Sequence, residues 1–416
     1  MAASAFFPLD EELQLLPGQY TPQIQEAMTR LGSKMPYEQA VEEVWLNQHT
    51  RVEESTLRGT TNRHGRVAEA IVKAEADKLA QEMPLAEANP ERLLVSSDGA
   101  TIHMTNGEWR EVKTVIVGEF DSQWNEKKGE IEVKTRDISY FSRSYRIREF
   151  EQYALPELHR RGIYNTGEVV TVNDGSDWIQ SFIDYHIPQA TRILDFRHAL
   201  DYISEAGQAV LGKGTEAFRQ WFSTMAHQLK HKPPQRTIAD LCLLQSKTST
   251  DEQIAAIDAA RRYLQKREKL IDYPHFRAKE YPIGSGSVES SHKLVVQSRM
   301  KQSGMRWAED NIDPMLALRN LVCNGRWSSG WRQIVAFHWE QYRQELREHA
   351  RRQRPSVPSI PMTFASVKVA SATSKACNKD DSQPLQSLKS KEPYRPAPDH
   401  PWRRNIWPTQ EAWRWN

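Results

Sequence analysis

The chain has 416 residues, 26% of them charged and 38% hydrophobic, and 56 Lys and Arg against 54 Asp and Glu leave a net charge of +2. That length fits about two or three domains with substantial cores, and the balanced charge excludes binding of polyanions through the overall field of the molecule. No apolar run approaches the ~18 residues of a membrane span. Cys242, Cys323 and Cys377 form neither a CxxC pair nor a disulfide framework. Acids at Asp10, Glu11 and Glu12 stand where a signal peptide needs an apolar core. The expectation is a soluble, cytoplasmic, nucleoid-associated protein.

Residues 1–90 read as an N-terminal helical region. Within it, 37–64 give two short helical patterns: Ala40, Val41, Val44 and Trp45 line one face of the first, Asn47–Thr50 break it, and Ser55 or Thr56 opens the second. Helix, short turn and polar helix outline a helix-turn-helix, whose second helix lies in the DNA major groove; many small helical hairpins share the outline. Residues 66–82 continue as a charged helix ending before Pro84.

From residue 92 the period changes to that of strands. "RLLVSSDGATIHM" and "WREVKTVIVGEF" flank Asn106–Gly107, a strong hairpin turn, and "DISYFSRSY" supplies a third strand. Then come a helix over 146–161, a buried strand in "GEVVTVNDGSDW", a helix over 177–187 and a short strand in "TRILDFRH". This order predicts a mixed sheet with helices on its faces. Residues 199–280 are helical, a further helix runs to about residue 323, and another covers 330–352. From Pro355 the composition is that of a disordered Pro/Ser/Lys tail (355–416) with an aromatic and basic end.

Basic residues cluster in three places: Arg143, Arg146, Arg148, Arg160 and Arg161; Lys293, Arg299, Lys301 and Arg306; and Arg343, Arg347, Arg351, Arg352 and Arg354. Such patches suit phosphate contacts at chosen points, and they equally suit solvated helix faces.

Three acids bear on chemistry. Asp98 follows "LLVSS" and Asp174 follows "VVTVN", each at the carboxyl end of a strand and each followed by glycine. Sheet rims of this kind commonly hold binding sites, although Asp-Gly is also ordinary turn chemistry. Glu289, in "IGSGSVESSHK", stands at the junction of a flexible turn and a basic helix. Three converging carboxylates suit two hard divalent cations, Mg²⁺ or Mn²⁺, and neighbouring cations suit a phosphate backbone. Asp177 is an alternative second ligand or the opening of a helix.

The blocks "DGATIHM", "VNDGSDWI", "ILDFRHALDYI" and "GSGSVESSHKLVVQSRMKQSGMRW" resemble those of bacterial DDE transposases of the ISKra insertion-sequence type, with related blocks in Mutator-like transposases. The resemblance covers roughly residues 5–325, including "PLDEELQLL". It implies an α/β fold: a ribonuclease-H-like, mixed five-stranded sheet flanked by helices and interrupted by an all-helical insertion. The core would occupy 91–198 and 281–325, the insertion 199–280 and a C-terminal helix 326–354. The resemblance also implies Asp98, Asp174 and Glu289 as metal-holding catalytic residues. His198, in the DxxH pattern with Asp195, becomes a candidate to bind the scissile phosphate or shuttle a proton, and equally half of a structural pair opening a helix. Lys293, Arg299, Lys301 and Arg306 become candidates to grip DNA. Longer family members carry a cysteine-paired zinc-binding segment upstream, which this sequence lacks.

The activity so implied is two-metal cleavage of double-stranded DNA at insertion-sequence ends and strand transfer into target DNA, carried out by a homo-oligomer. A nuclease or resolvase that does not join strands and a transposase-derived DNA-binding regulator remain alternatives. A paired-carboxylate glycosidase fits less well, because it gains little from cations beside Glu289.

Overall fold

Three helices open the described chain, which comprises residues 15–126, 129–248 and 250–353 of a computed structural model. They are α1 (Pro22–Lys34), α2 (Tyr37–Gln48) and α3 (Glu54–Gln81). Ala40 and Val44 are fully buried on α2 as predicted, but Trp45 faces solvent, with Arg51 over its ring at 5.2 Å. The second helix starts after Glu53 rather than at Ser55 or Thr56, and it absorbs 66–82 into one helix of 28 residues. No proline interrupts that stretch, and its two glycines do not end it. Gly65 marks a close crossing instead, since a Cβ there would meet the Pro314 carbonyl oxygen at 2.7 Å. Leu57, Thr61, His64 and Ala68 are all buried, while Ser55, Thr56 and Arg58 remain exposed near the start.

The sheet is built from β1 (Arg92–His103), β2 (Trp109–Asn125), β3 (Glu130–Arg143), β4 (Glu168–Asn173) and β5 (Thr191–Leu194). Its order is β3-β2-β1-β4-β5. The first three strands form an antiparallel meander, β4 runs parallel to β1, and β5 runs parallel to β4. Gly107 adopts φ +88° in the first hairpin, as the Asn-Gly pair requires. β2 and β3 extend past the runs expected from sequence and pair as far as Asn125 and Glu130. Those extra rungs carry exposed Trp124 and Ile131, so no apolar face announces them.

Alternating side chains feed two cores, as a strand's period of two dictates. Leu93, Val95 and Val117 pack under α4 (Ile147–Arg160) and α5 (Asp177–His186), against Phe150 and Phe182. Leu94, Val170 and Val172 pack on the other side beneath an excursion of helices. These are α6 (Phe196–Leu211), α7 (Glu216–His231), α8 (Pro234–Leu244), α9 (Asp251–Lys266) and α10 (Tyr273–Ala278). Next come α11 (Gly286–Ser291), a π-helical turn (His292–Gln297) and α12 (Ser298–Met300). α13 (Ile312–Cys323) and α14 (Trp327–Gln353) complete the described chain. The single helix expected up to residue 323 is therefore broken over residues 301–311. The tail from Pro355, with Cys377 and Arg354, lies outside the described residues, as does most of "PLDEELQLL".

α13 covers the free edge of β3 with side chains in place of a sixth strand. Asn320 Oδ1 accepts from Ser142 N at 3.1 Å, Asn324 exchanges two bonds with the Tyr140 backbone at 2.8 and 2.9 Å, and Asp313 accepts from Ser144 N at 2.7 Å. An open edge would otherwise template pairing with another chain. Arg143, counted in a basic cluster from sequence, is part of this seam: it is 1% exposed and donates to Asn320 Oδ1 and to the Ser142 carbonyl oxygen.

A buried histidine pair ties the N-terminal helices to α14. His64 Nδ1 lies 3.0 Å from His338 Nε2, and His64 Nε2 lies 3.0 Å from Gln25 Oε1. Burial pushes His64 down to about 3 and His338 and His186 to about 4, so all three are neutral when folded. Unfolded, each takes up a proton near 6.5. Their contribution to stability is therefore present above that value and is lost as pH falls from about 6.5 towards 4. Urea unfolding free energies should fall steadily between about pH 7 and pH 4.5; a flat profile would contradict the neutral histidines.

Candidate active site

Two of the three acids are brought together where the β1–β4 ladder ends. The backbone register runs only to Val95↔Thr171. Side chains then extend it: Ser96 Oγ donates to the Val172 carbonyl oxygen at 2.5 Å, and Asn173 Oδ1 accepts from Ser97 N at 2.6 Å. The next residues on these parallel segments are Asp98 and Asp174. Asp174 leaves its strand as expected, accepting from Ser176 N at 2.9 Å before α5, with Gly175 at φ +80°. Asp98 does not end its strand. β1 continues to His103, and Asp98 is paired with Thr114. Its other flank is open because β4 has already stopped at Asn173.

Glu289 arrives from the far side of the chain and lies within α11 rather than at a turn–helix junction. Buried positions on this element recur as Val288, Ser291–His292, Val295–Val296 and Arg299–Met300, in steps of four. An α-helix of 3.6 residues per turn would rotate such a set off the core, whereas a widened π turn keeps it facing inward. The widened turn presents carbonyls that α13 receives. Arg319 donates from Nε to the Val295 carbonyl oxygen at 3.0 Å, and from Nη2 to the Leu294 carbonyl oxygen and to Ser298 Oγ.

Asp98, Asp174, Glu289 and His198 line one cleft of about 200 Å³, together with Asp195, Asp201, Arg197, Ser97, Ser285 and Val288. Two of the larger clefts, of about 900 and 880 Å³, lie between α1 and α14 and beside the β2–β3 hairpin. Neither gathers more than two acids, against five in the smaller one. Burial raises Asp98 to about 6, with the charges of Asp174, Glu289 and Glu111 adding to it and the Gly99 N–H opposing.

Asp195 is 5% exposed and structural: its Oδ1 caps α6 through His198 N at 2.8 Å and its Oδ2 accepts from Ser285 N at 2.5 Å. The imidazole of His198 is not held by Asp195. It packs edge-on to Tyr202 and Tyr263, with ring centroids 5.5 and 6.0 Å away, and lines the cleft. Asp177 is exposed in the first turn of α5, outside the cleft.

The four cations expected to grip DNA divide. Lys293, Lys301 and Arg306 are exposed. Arg299 is not available to a phosphate: it is 1% exposed, donates from Nε to the Gly32 carbonyl oxygen at 2.8 Å, and lies over the Tyr37 and Trp307 rings at 4.7 and 5.0 Å. Trp307 is a core residue, with Nε1 donating to the Met300 carbonyl oxygen at 3.1 Å.

Sequence reasoning missed several residues near the acids. Tyr263 donates to the Asp174 carbonyl oxygen at 2.9 Å, stacks on Tyr202 at 3.7 Å and carries Arg267 over its other face at 3.8 Å. His292 Nε2 stands 3.5 Å from Asp98 Oδ2. The four-residue spacing of buried positions is the one sequence signal that turns His292 inward.

The donor chemistry of the cleft fits a hard divalent cation: three carboxylates from separate segments, one of them strained by the charge of the other two. Ligating geometry is not already formed, because among the described residues no group of three or more His, Cys, Asp or Glu side chains is arranged so as to hold a metal ion.

No family model matches the chain. It is 24% identical over 342 residues to a Streptococcus gallolyticus protein described as "UPF0236 protein in vanSb 3'region", covering 80% of this chain and 70% of that one. Among the described residues no helix is long and apolar enough to cross a membrane.

Because its folded value is raised, Asp98 contributes stability through its proton below about 3.8, and loses it as pH rises through about 6. Asp98→Asn mimics the protonated form. In chelator it should melt at a higher temperature than the parent at about pH 7.5 and at the same temperature at about pH 4; equal melting at both would refute the raised value of Asp98.

Proposed function

We propose that this protein is a divalent-metal-dependent DNA transposase of the DDE type, with a ribonuclease-H-like core resembling that of the ISKra insertion-sequence transposases. The observation that carries the reading is the convergence of Asp98, Asp174 and Glu289 on one cleft, from segments 76 and 115 residues apart (174 − 98 and 289 − 174). The strand order, a three-strand meander followed by two parallel strands, supports such a core. So does the helical excursion between the second acid and Glu289.

Divalent cations held by these three carboxylates would supply Lewis-acid activation of the attacking oxygen and stabilisation of the leaving one. The protein's own contribution is placement. Asp98 sits on β1 and Asp174 just beyond β4, segments fixed by the Ser96 and Asn173 bonds, and Glu289 rides on a helix anchored by Arg319. Lys293, Lys301 and Arg306 stand exposed on or just beyond the glutamate element, where cations can hold the substrate backbone. His198 lines the same cleft. Strand transfer then has a freed 3′-hydroxyl attack a target phosphodiester, forming one P–O bond as the target's own 3′-oxygen leaves.

The test is strand transfer by the full chain with Mg²⁺ or Mn²⁺ and labelled DNA bearing the flanking element ends, beside Glu289→Gln. Joined product is expected, and the variant should lose about 100-fold or more of it, the scale set by removal of one transition-state electrostatic group. Undiminished joining by the variant would refute the assignment. Cleavage without joining would mark a nuclease, and end binding without chemistry would mark a regulator.

A further inference from the structure

His292 takes no part in the chemistry above, yet its setting is unusual. It is 3% exposed, and neither ring nitrogen makes a hydrogen bond of good geometry, its one polar interaction being a weak one with the Asp98 backbone. Interiors rarely retain an unpaired polar ring where an apolar one of similar size would serve, and each such case calls for a reason. The ring also faces the Asp98 carboxylate: Nε2 stands 3.5 Å from Oδ2, just beyond a well-formed hydrogen bond. The other oxygen of that carboxylate, Oδ1, is already fixed by Gly99 N at 2.7 Å. His292 therefore faces the one oxygen of Asp98 that the backbone leaves free.

Its place in the chain adds a second reason. His292 is the first residue of the π turn and follows Glu289 by three residues. π turns are concentrated at functional sites because they re-aim side chains. Here the widened turn keeps His292 on the buried side while Glu289 and Lys293 stay exposed. One element thus carries the third acid and a ring directed at the first.

We propose that His292 is a positioning residue: its Nε2–H orients the free oxygen of Asp98, and so fixes how Asp98 and Glu289 jointly meet a divalent cation. This inference rests on the metal-dependent reading of the cleft. This role requires the proton of the neutral ring to sit on Nε2. Groups that orient a metal's direct ligands typically change affinity by about 10–100-fold when removed.

The experiment is a Mn²⁺ titration of the full chain followed by electron paramagnetic resonance, with melting temperatures measured alongside. His292→Phe deletes an unpaired polar ring, so it should melt no lower than the parent while its Mn²⁺ Kd rises about 10–100-fold. His292→Gln, whose amide nitrogen reaches close to the Nε2 position, should restore most of the affinity. Should the Phe variant fold poorly, His292→Asn replaces it: Asn is too short to reach Asp98 and should bind as weakly as Phe is expected to. Parent-like Mn²⁺ binding by a folded Phe or Asn variant, with Glu289→Gln impaired, would overturn the positioning role and leave the metal reading intact. No Mn²⁺ binding by the parent, or unchanged binding by Glu289→Gln, would remove the metal reading and this inference with it.

Discussion

One buried carboxylate stitches the candidate site together. Asp195 accepts from His198 N and from Ser285 N, donors from the two ends of the helical excursion. Beside it, Phe196 N donates to the Ile283 carbonyl oxygen at 2.9 Å. The chain that leaves β5 and the chain that returns to α11 are thus bonded to each other at the sheet. Everything between them is a closed loop of helices, whose first helix sends Arg197, His198 and Asp201 to the cleft. Without this stitch, Glu289 would hang on a long excursion, and the entropy of closing it would fall on the cleft. The loop also returns a contact through Tyr263 and Arg267, which hold the carbonyl oxygens of Asp174 and Gly175.

The second anchor is α13, and its working residues are arginine and amides. Arg319 satisfies the carbonyls of the π turn and also reaches the Ser33 carbonyl oxygen at 3.1 Å, joining the glutamate element to α1. Arg299 makes the matching bond to Gly32 from the other side. A guanidinium can bind several carbonyls in one plane, which a lysine ammonium does less well. That is why arginine, rather than lysine, fills these buried positions, and why the exposed partners on the same stretch include Lys293 and Lys301. Cationic residues adjacent in sequence therefore do opposite work: some hold the scaffold, others face solvent.

The acids show how far a sheet edge can concentrate charge without neutralising it. Asp98 and Asp174 are neighbours because Ser96 and Asn173 prolong the ladder by side-chain bonds after the backbone register has ended. Burial raises Asp98 and the charge of its neighbours adds to it, with Arg197 the one cation among the residues that line the cleft. Such an arrangement is held by the fold against its own repulsion, which is the condition under which a cation binds most readily.

Local pattern determined much of this protein. The alternation around Leu93–Val95, the Asn106–Gly107 turn and the helical period over 147–160 and 177–186 each express physics confined to a few neighbouring residues, so the meander and its flanking helices were legible. Asp98, Asp174 and Glu289, singled out from the sequence, line one cleft. The polar extension of β2 and β3, the continuity of α3, the burial of Arg143 and Arg299 and the inward turn of His292 were not legible. Each depends on what packs opposite: a partner strand, the Pro314 backbone, the Asn320 side chain, the Gly32 carbonyl, the free oxygen of Asp98. Periodicity reports the face a residue presents, not the group that awaits it there, and only the tertiary structure decided which cations were spent inside and which histidine was turned towards an acid.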